Sequence, residues 1–245
     1  MSADTIIELE NVTKIFDGRE VIRHCNMNVP KGAIYGFVGP NGAGKTTILK
    51  LLMGLLSPTS GKIIVMGNTV SAERSQILKK IGSIIETPVF YEHLSAGENL
   101  RLHLEYMQIP AAIDSIPETL HRVGLEDAGT QPVGKFSLGM RQRLGIARAI
   151  IHTPEILLLD EPINGLDPMG VMKMRELFRS LAYEQNMTII ISSHILSELE
   201  NIADLIGIIA KGQILKEVSL NAIQKDFPAG LEEYFFETVK GGEVQ

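Results

Sequence analysis

The chain has 245 residues, 44% hydrophobic and 21% charged, with 23 basic against 29 acidic side chains and a net charge of −6. This supports one good-sized domain or two small lobes around a real core and excludes a disordered polymer, while the acidic surplus counts against a surface built to grip nucleic acid. The single cysteine, Cys25, excludes an internal disulfide framework and makes a reducing compartment the default.

The first residues lack the basic start and long apolar core of a signal peptide, and no stretch reaches the roughly 18 apolar residues of a membrane span. The chain is therefore expected to be soluble and to reach a membrane only through a partner. Residues 6–10 alternate apolar and polar side chains, the pattern of a half-buried strand. After the turn signal Asp17-Gly18, residues 21–29 return as a second extended segment, broken by Pro30, Lys31 and Gly32. Residues 33–38 form a short apolar run and predict a buried strand. A glycine-rich loop follows, then residues 46–56, dense in leucine, predict a helix ending at Ser57-Pro58-Thr59-Ser60-Gly61. Strands are expected at 62–66 and 81–85.

Residues 88–152 differ in texture. Helices are predicted at 98–107 and 116–123, with Pro110 and Pro117 in the loops, and a strongly amphipathic one at 141–152 carrying Arg141, Arg143 and Arg148. Strands at 156–160 and 187–192 then alternate with helices at 169–184 and 195–203. A hairpin joins 205–210 to 213–216 across Lys211-Gly212, and residues 221–245 predict a short helix and a frayed end. Such alternation implies a mainly parallel sheet covered on both faces, with the early strands as an antiparallel side sheet. The expected organisation is one α/β domain, with a core of residues 1–87 and 153–217, a helical insert at 88–152 and a tail at 218–245.

Residues 39–46 read Gly39-Pro40-Asn41-Gly42-Ala43-Gly44-Lys45-Thr46, which fits G-x-x-x-x-G-K-[ST]. The glycines let backbone N–H groups turn inward around phosphate oxygens, and the helix that follows, with Thr47 in its first turn, presents its positive end to the same anion. Lys45 would reach the terminal phosphates, and the Thr46 hydroxyl would ligate Mg²⁺. The alternative, a glycine-rich turn that binds nothing, is opposed by the strand before, the helix after, and the lysine and threonine between them. Asp160 and Glu161 end the apolar run 156–159, at the carboxyl end of a parallel strand where ligands sit. Asp160 would face the metal, directly or through water. Glu161 would lie nearer the terminal phosphate and polarise an attacking water. Taken alone, the pair would also suit a structural role ahead of a helix.

A third motif, Phe136-Ser137-Leu138-Gly139-Met140-Arg141-Gln142-Arg143, completes a pattern. From about residue 6 to residue 216 the chain resembles the ATP-binding subunits of ABC transporters. The resemblance implies an ABC-type P-loop ATPase fold, with ATP and Mg²⁺ as cofactors. In that family a Ser-Gly-Gly-Gln signature opens a helix and binds the γ-phosphate held by the partner subunit. Ser137, Gly139 and Met140 take that place here, with Leu138 in place of the first signature glycine and Met140 in place of the glutamine, two departures that bear on the strength of the cross-subunit contact. By the same resemblance, residues 164–168 (Asn-Gly-Leu-Asp-Pro) are the D-loop, with Asp167 at the dimer seam. His194 is the switch histidine that contacts the γ-phosphate. Phe16 stands where the family places an aromatic, more often tyrosine, against adenine. Glu86 stands where the family usually has a glutamine that reaches Mg²⁺ and touches the transmembrane partner; a carboxylate there would ligate the metal directly. Glu86, the Phe-Ser-Leu-Gly-Met run and residues 90–95 resemble the branch of bacitracin-type exporters and lantibiotic self-immunity transporters.

The resemblance further implies a head-to-tail pair of ATPase subunits, most simply two copies of this chain, enclosing two ATP molecules. It casts Glu161 as general base, His194 as γ-phosphate sensor, and Lys45 and Ser137 as charge stabilisers. Transmembrane permease subunits on separate chains would dock at the helical insert and at loop 86–94, placing the chain at the cytoplasmic face of the cell membrane. Two rivals remain. One is an ABC-type ATPase without a membrane partner, acting on nucleic acid, ribosomes or cluster assembly; such members usually carry long insertions or two fused ATPase units, and no nucleic acid is expected here. The other is a binding protein with a dead ATP site, which Lys45, Asp160, Glu161 and His194 argue against.

Overall fold

The structure, a computed structural model, describes residues 4–110, 115–227 and 230–242. Two sheets organise it. Strands β1 (Thr5–Phe16) and β2 (Arg19–Pro30) form a long antiparallel hairpin, and β1 also pairs with β4 (Ser60–Val65), which holds the two-residue β5 (Asn68–Thr69). The order of this sheet is β2-β1-β4-β5. β1 runs six residues beyond the expected end at residue 10. Its register slips between Leu9 and Val12, where Asn11 is left-handed at φ 50°, and this bulge breaks the alternation that sequence reading relies on.

The second sheet has the order β10-β9-β3-β8-β7-β6. Here β3 (Ile34–Val38), β6 (Ile81–Ile84), β7 (Ile156–Asp160), β8 (Thr188–Ser193) and β9 (Leu205–Ala210) pair in parallel, and β10 (Gln213–Ser219) returns antiparallel on the edge. The strands β3 and β8 are buried at every residue, as continuous apolar runs covered on both faces must be. Helix α1 (Lys45–Leu52) lies in the core shared with the antiparallel sheet, while α3 (Ala96–Met107), α4 (Ser115–Arg122), α5 (Leu138–Ile150) and α6 (Pro168–Tyr183) cover the other face.

Local chemistry sets the helix ends. Ser95 and Glu98 form a reciprocal capping box that starts α3 two residues before the expected boundary. Ser137 Oγ accepts from Met140 N at 3.2 Å and opens α5, and Asp167 Oδ1 accepts from Gly170 N at 2.6 Å ahead of Pro168 in α6. Helix α1 stops at Leu52, short of the expected residue 56, because the chain turns at Gly54, φ 61°. Helix α2 (Val70–Leu78) was not anticipated, and its weak amphipathic pattern explains why. Helix α7 (Leu196–Glu200) is much shorter than the expected 195–203.

The tail holds the expected short helix and, where a frayed end was expected, a second one. Residues 220–242 hold two helices, α8 (Leu220–Asp226) and α9 (Leu231–Gly242). Leu231 is fully buried and its N–H donates to Glu200 Oε1 at 2.9 Å, while Tyr234, Phe235 and Val239 pack on the core. Residues 243–245 lie outside the described residues.

Candidate active site

The carboxyl ends of β3, β7 and β8, adjacent in the sheet in the order β3-β8-β7, converge on one edge. From β3 the chain enters the loop 39–44. Gly42 (φ 79°) and Gly44 (φ 110°) adopt left-handed conformations that a side chain would strain, and a Cβ on Gly39 would collide with the Ile209 carbonyl. The loop delivers the amino end of α1 to a cleft of about 300 Å³ lined by Asn41, Gly42, Ala43, Gly44, Lys45, Thr46, Thr47, Asp160 and Glu161. Of the phosphate-binding residues read from the motif, Gly39 and Pro40 turn their carbonyls to Lys45, and Pro40 with Asn41, Gly42 and Ala43 also borders the neighbouring cleft described below.

Lys45 is buried, and its ammonium donates to the carbonyls of Gly39 at 2.6 Å and Pro40 at 3.3 Å. Burial lowers its pKa, opposed by the charges of Glu161 and Asp160. A cation held out of water on neutral carbonyls, at the amino end of α1, is poised for an anion. Thr46 Oγ1 donates to Asp160 Oδ2 at 2.6 Å, and Ser192 Oγ donates to Asp160 Oδ1 at 2.5 Å, so both carboxylate oxygens are held.

Glu161 follows in a left-handed conformation, φ 49°, with its N–H on Ser192. Its Oε1 lies 2.9 Å from His194 Nδ1, and Asn164 Nδ2 donates to its Oε2 at 3.4 Å. The structure brings Lys45, Thr46, Asp160, Glu161 and His194 together from three strand ends, the first four read from motifs and His194 from the family resemblance. Sequence reading gave Ser192 no role, although it links Asp160 to the backbone of Glu161. It also missed Gln142, whose buried amide donates to the Pro162 carbonyl at 2.8 Å and ties α5 to the loop after Glu161.

The remaining candidates lie apart. Among the described residues, no hydrogen bond or ion pair joins Ser137, Gly139 or Met140 to the phosphate loop. Instead Leu138, exposed to 62%, packs beside Gly165 of the 164–168 loop, so signature and D-loop candidates form one surface with Asp167 at its edge. Phe16 ends β1 with its ring 4.9 Å from Lys14 Nζ; Arg19, paired with it across the hairpin, lines a second cleft of about 510 Å³ together with Arg23, Pro40, Asn41 and Lys211. No signal short of the folded hairpin would have pointed to these basic residues. Glu86, φ 64°, pairs with Lys50 Nζ at 2.6 Å rather than with Thr46 or Asp160.

A sequence profile described as ABC transporter matches residues 22–164, more than half of the chain. The chain belongs to the ABC transporter family. It is an ATP-binding subunit of that family and an ATPase. This ABC subunit is 52% identical over 219 residues to the uncharacterized ABC transporter ATP-binding protein YcbN of Bacillus subtilis (strain 168), covering 89% of this chain and 71% of the relative. It is 50% identical over 221 residues to the bacitracin transport ATP-binding protein BcrA of Bacillus licheniformis, covering 90% and 72%. With the lantibiotic transport ATP-binding protein SrtF of Streptococcus pyogenes it shares 46% over 230 residues, 94% and 96% of the two chains. Among solved structures, an ATP-binding subunit of an ABC transporter superposes with a TM-score of 0.87 at 28% identity over 96% of this chain and 100% of that one. The dimeric, post-hydrolysis ATP-binding cassette MJ0796 bound to ADP and Pi does so at 0.81 and 26%, over 88% and 99%. Family, fold class and branch thus agree with the motif reading. Among the described residues no helix is long and apolar enough to cross a membrane.

Proposed function

We propose that this ABC ATPase powers export of a membrane-active antimicrobial peptide of the bacitracin or lantibiotic class, giving its cell resistance or self-immunity. The observation that carries the reading is the convergence of a buried lysine, a Thr46–Asp160 pair and a Glu161–His194 pair at one sheet edge, in a chain whose relatives include BcrA and SrtF. The chain works as one domain, with the helical insert receiving permease subunits on separate chains at the cytoplasmic face of the membrane. A second copy supplies Ser137, Gly139, Met140 and Asp167 across the seam; the exposure of Leu138 beside Gly165 supports an intermolecular role for that surface.

In this reading Lys45 leaves its carbonyls for the terminal phosphates of ATP, and the N–H groups of residues 41–47 surround the phosphate oxygens. The donor set of Thr46 hydroxyl and Asp160 carboxylate suits a small hard cation, and Mg²⁺ bound there with the phosphates supplies neutralisation of their charge. Glu161 Oε takes the proton of the attacking water, and His194, on the same carboxylate, fixes its direction. His194, when doubly protonated, keeps Nδ1–H on Glu161 and offers Nε2–H to the γ-phosphate. Phe16 supplies the apolar face for adenine, next to Arg19 and Arg23. Loss of the γ-phosphate removes the contacts that hold the pair closed.

The test is co-purification. A tagged Glu161→Gln chain, expressed in its native membrane background and held with ATP, should bring down a multi-span membrane protein in stoichiometric amount. A soluble partner or nucleic acid, without a membrane protein, would overturn the export reading.

A further inference from the structure

Helix α1 carries Thr46 and Lys50 four residues apart, hence on one face. Each engages a carboxylate from the end of a different strand. Thr46 Oγ1 holds Asp160 at the end of β7, and Lys50 Nζ holds Glu86, two residues beyond the end of β6. Strands β6 and β7 are parallel neighbours, with Ile84 opposite Leu159, so Glu86 and Asp160 leave the sheet side by side. The backbone of Glu86 is left-handed, φ 64°, an uncommon conformation for a residue other than glycine.

The charge inventory makes this arrangement meaningful. Asp160 and Glu161 line the cleft that must also accept the phosphates of ATP, and Glu86 leaves the neighbouring strand. Of the nearby ammonium groups, Lys45 is buried in the phosphate loop, while Lys50 stands outside it. An amide in place of Glu86 would need no counter-ion. The Lys50 and Glu86 side chains are 31% and 65% exposed, and an ion pair so open to solvent contributes little to folding. Its effect lies in where it holds the carboxylate, on the face of α1 that also carries Thr46.

We infer that Lys50 is a positioning residue, a built-in counter-ion that draws Glu86 onto α1 and competes for its carboxylate with the divalent cation at Thr46–Asp160. Glu86 is shared between two cations, one part of the protein and one arriving with nucleotide. The strength of the Lys50–Glu86 pair then sets how much divalent cation is needed before Glu86 is released. The inference rests on the nucleotide-and-Mg²⁺ reading of the site.

The experiment is a double-substitution cycle of Lys50→Met and Glu86→Gln, with Lys50→Arg as the conservative variant. MgCl₂ is titrated into each protein saturated with a fluorescent, non-hydrolysable ATP analogue, and the half-saturating Mg²⁺ concentration is read. Lys50→Met should lower that concentration about fivefold when Glu86 is present, the upper scale of an exposed ion pair that no longer competes for the carboxylate. In the Glu86→Gln background the same change should be under about threefold, because no carboxylate is released. Lys50→Arg should behave as wild type. Melting temperatures of the nucleotide-free and metal-free proteins should agree within about 2 °C, as expected for an exposed pair. An equal effect of Lys50→Met in both backgrounds, no effect in either, or a large loss of melting temperature would overturn the inference. Failure of the wild type to bind the analogue with Mg²⁺ would instead overturn the reading of the site.

Discussion

Replacing Glu161 by glutamine isolates the chemical step. The amide keeps the size of the side chain, and the backbone N–H can still reach Ser192. What is lost is the proton-accepting carboxylate 2.9 Å from His194. A positioned general base contributes about 10²- to 10⁴-fold, so the barrier should rise by about 3–5 kcal/mol. Nucleotide affinity should change little, since Lys45 and the loop amides remain. His194→Ala removes the partner that orients Glu161 and the contact offered to the γ-phosphate but leaves the carboxylate base, and its deficit should be smaller, about ten- to a hundredfold. The assay is steady-state phosphate release at saturating ATP, with affinity measured separately by a fluorescent analogue. A Glu161→Gln protein that turns over within about threefold of wild type would refute the assignment. So would one whose whole defect is lost binding, because the residue would then hold substrate rather than activate water.

Three further outcomes come from the packing. Burial, reinforced by His152 and Arg148, pushes the His103 pKa down to about 4, so the folded chain binds its proton less readily than the unfolded one. The resulting stability is present above the unfolded value near 6.5 and is lost as pH falls toward 4, by at most about 2 kcal/mol once partial exposure is discounted. Urea unfolding at pH 7.5 and 4.5 should show a smaller loss for His103→Gln than for wild type, and equal losses would contradict the account. At Gly82 in β6 an added Cβ would run into the Ala149 carbonyl of α5, so Gly82→Ala should cost about 3 kcal/mol in a denaturant melt; an unchanged midpoint would show that α5 can retreat. Burial pushes the Cys25 thiol up to about 12, leaving on the order of 10⁻⁴ thiolate at pH 8, so a thiol reagent should label it only after unfolding.

The phosphate loop and the Asp160-Glu161 pair were legible because their geometry is local. Glycines at fixed offsets permit one backbone path, and a run of four apolar residues puts the two carboxylates after it at a strand end. The α1 boundary, the bulge in β1 and helix α2 were less legible, since turns at Gly54 and Asn11 and weak amphipathicity leave no periodic trace. The short helix of the tail was legible, but α9 was not, because the value of Tyr234, Phe235 and Val239 depends on packing against other elements, and Glu200, 31 residues away, completes the start of α9.

By itself, then, the sequence determined the family, the α/β alternation and the phosphate-loop motif, all matters of short-range stereochemistry. The tertiary structure decided which groups face each other. It put Ser192 under Asp160, His194 on Glu161 and Lys50 on Glu86, pairs separated by 32, 33 and 36 positions in the chain. Sheet order sets such pairings: β7 lies between β8 and β6, so carboxylates and their partners from distant segments emerge side by side, and no linear spacing encodes that adjacency.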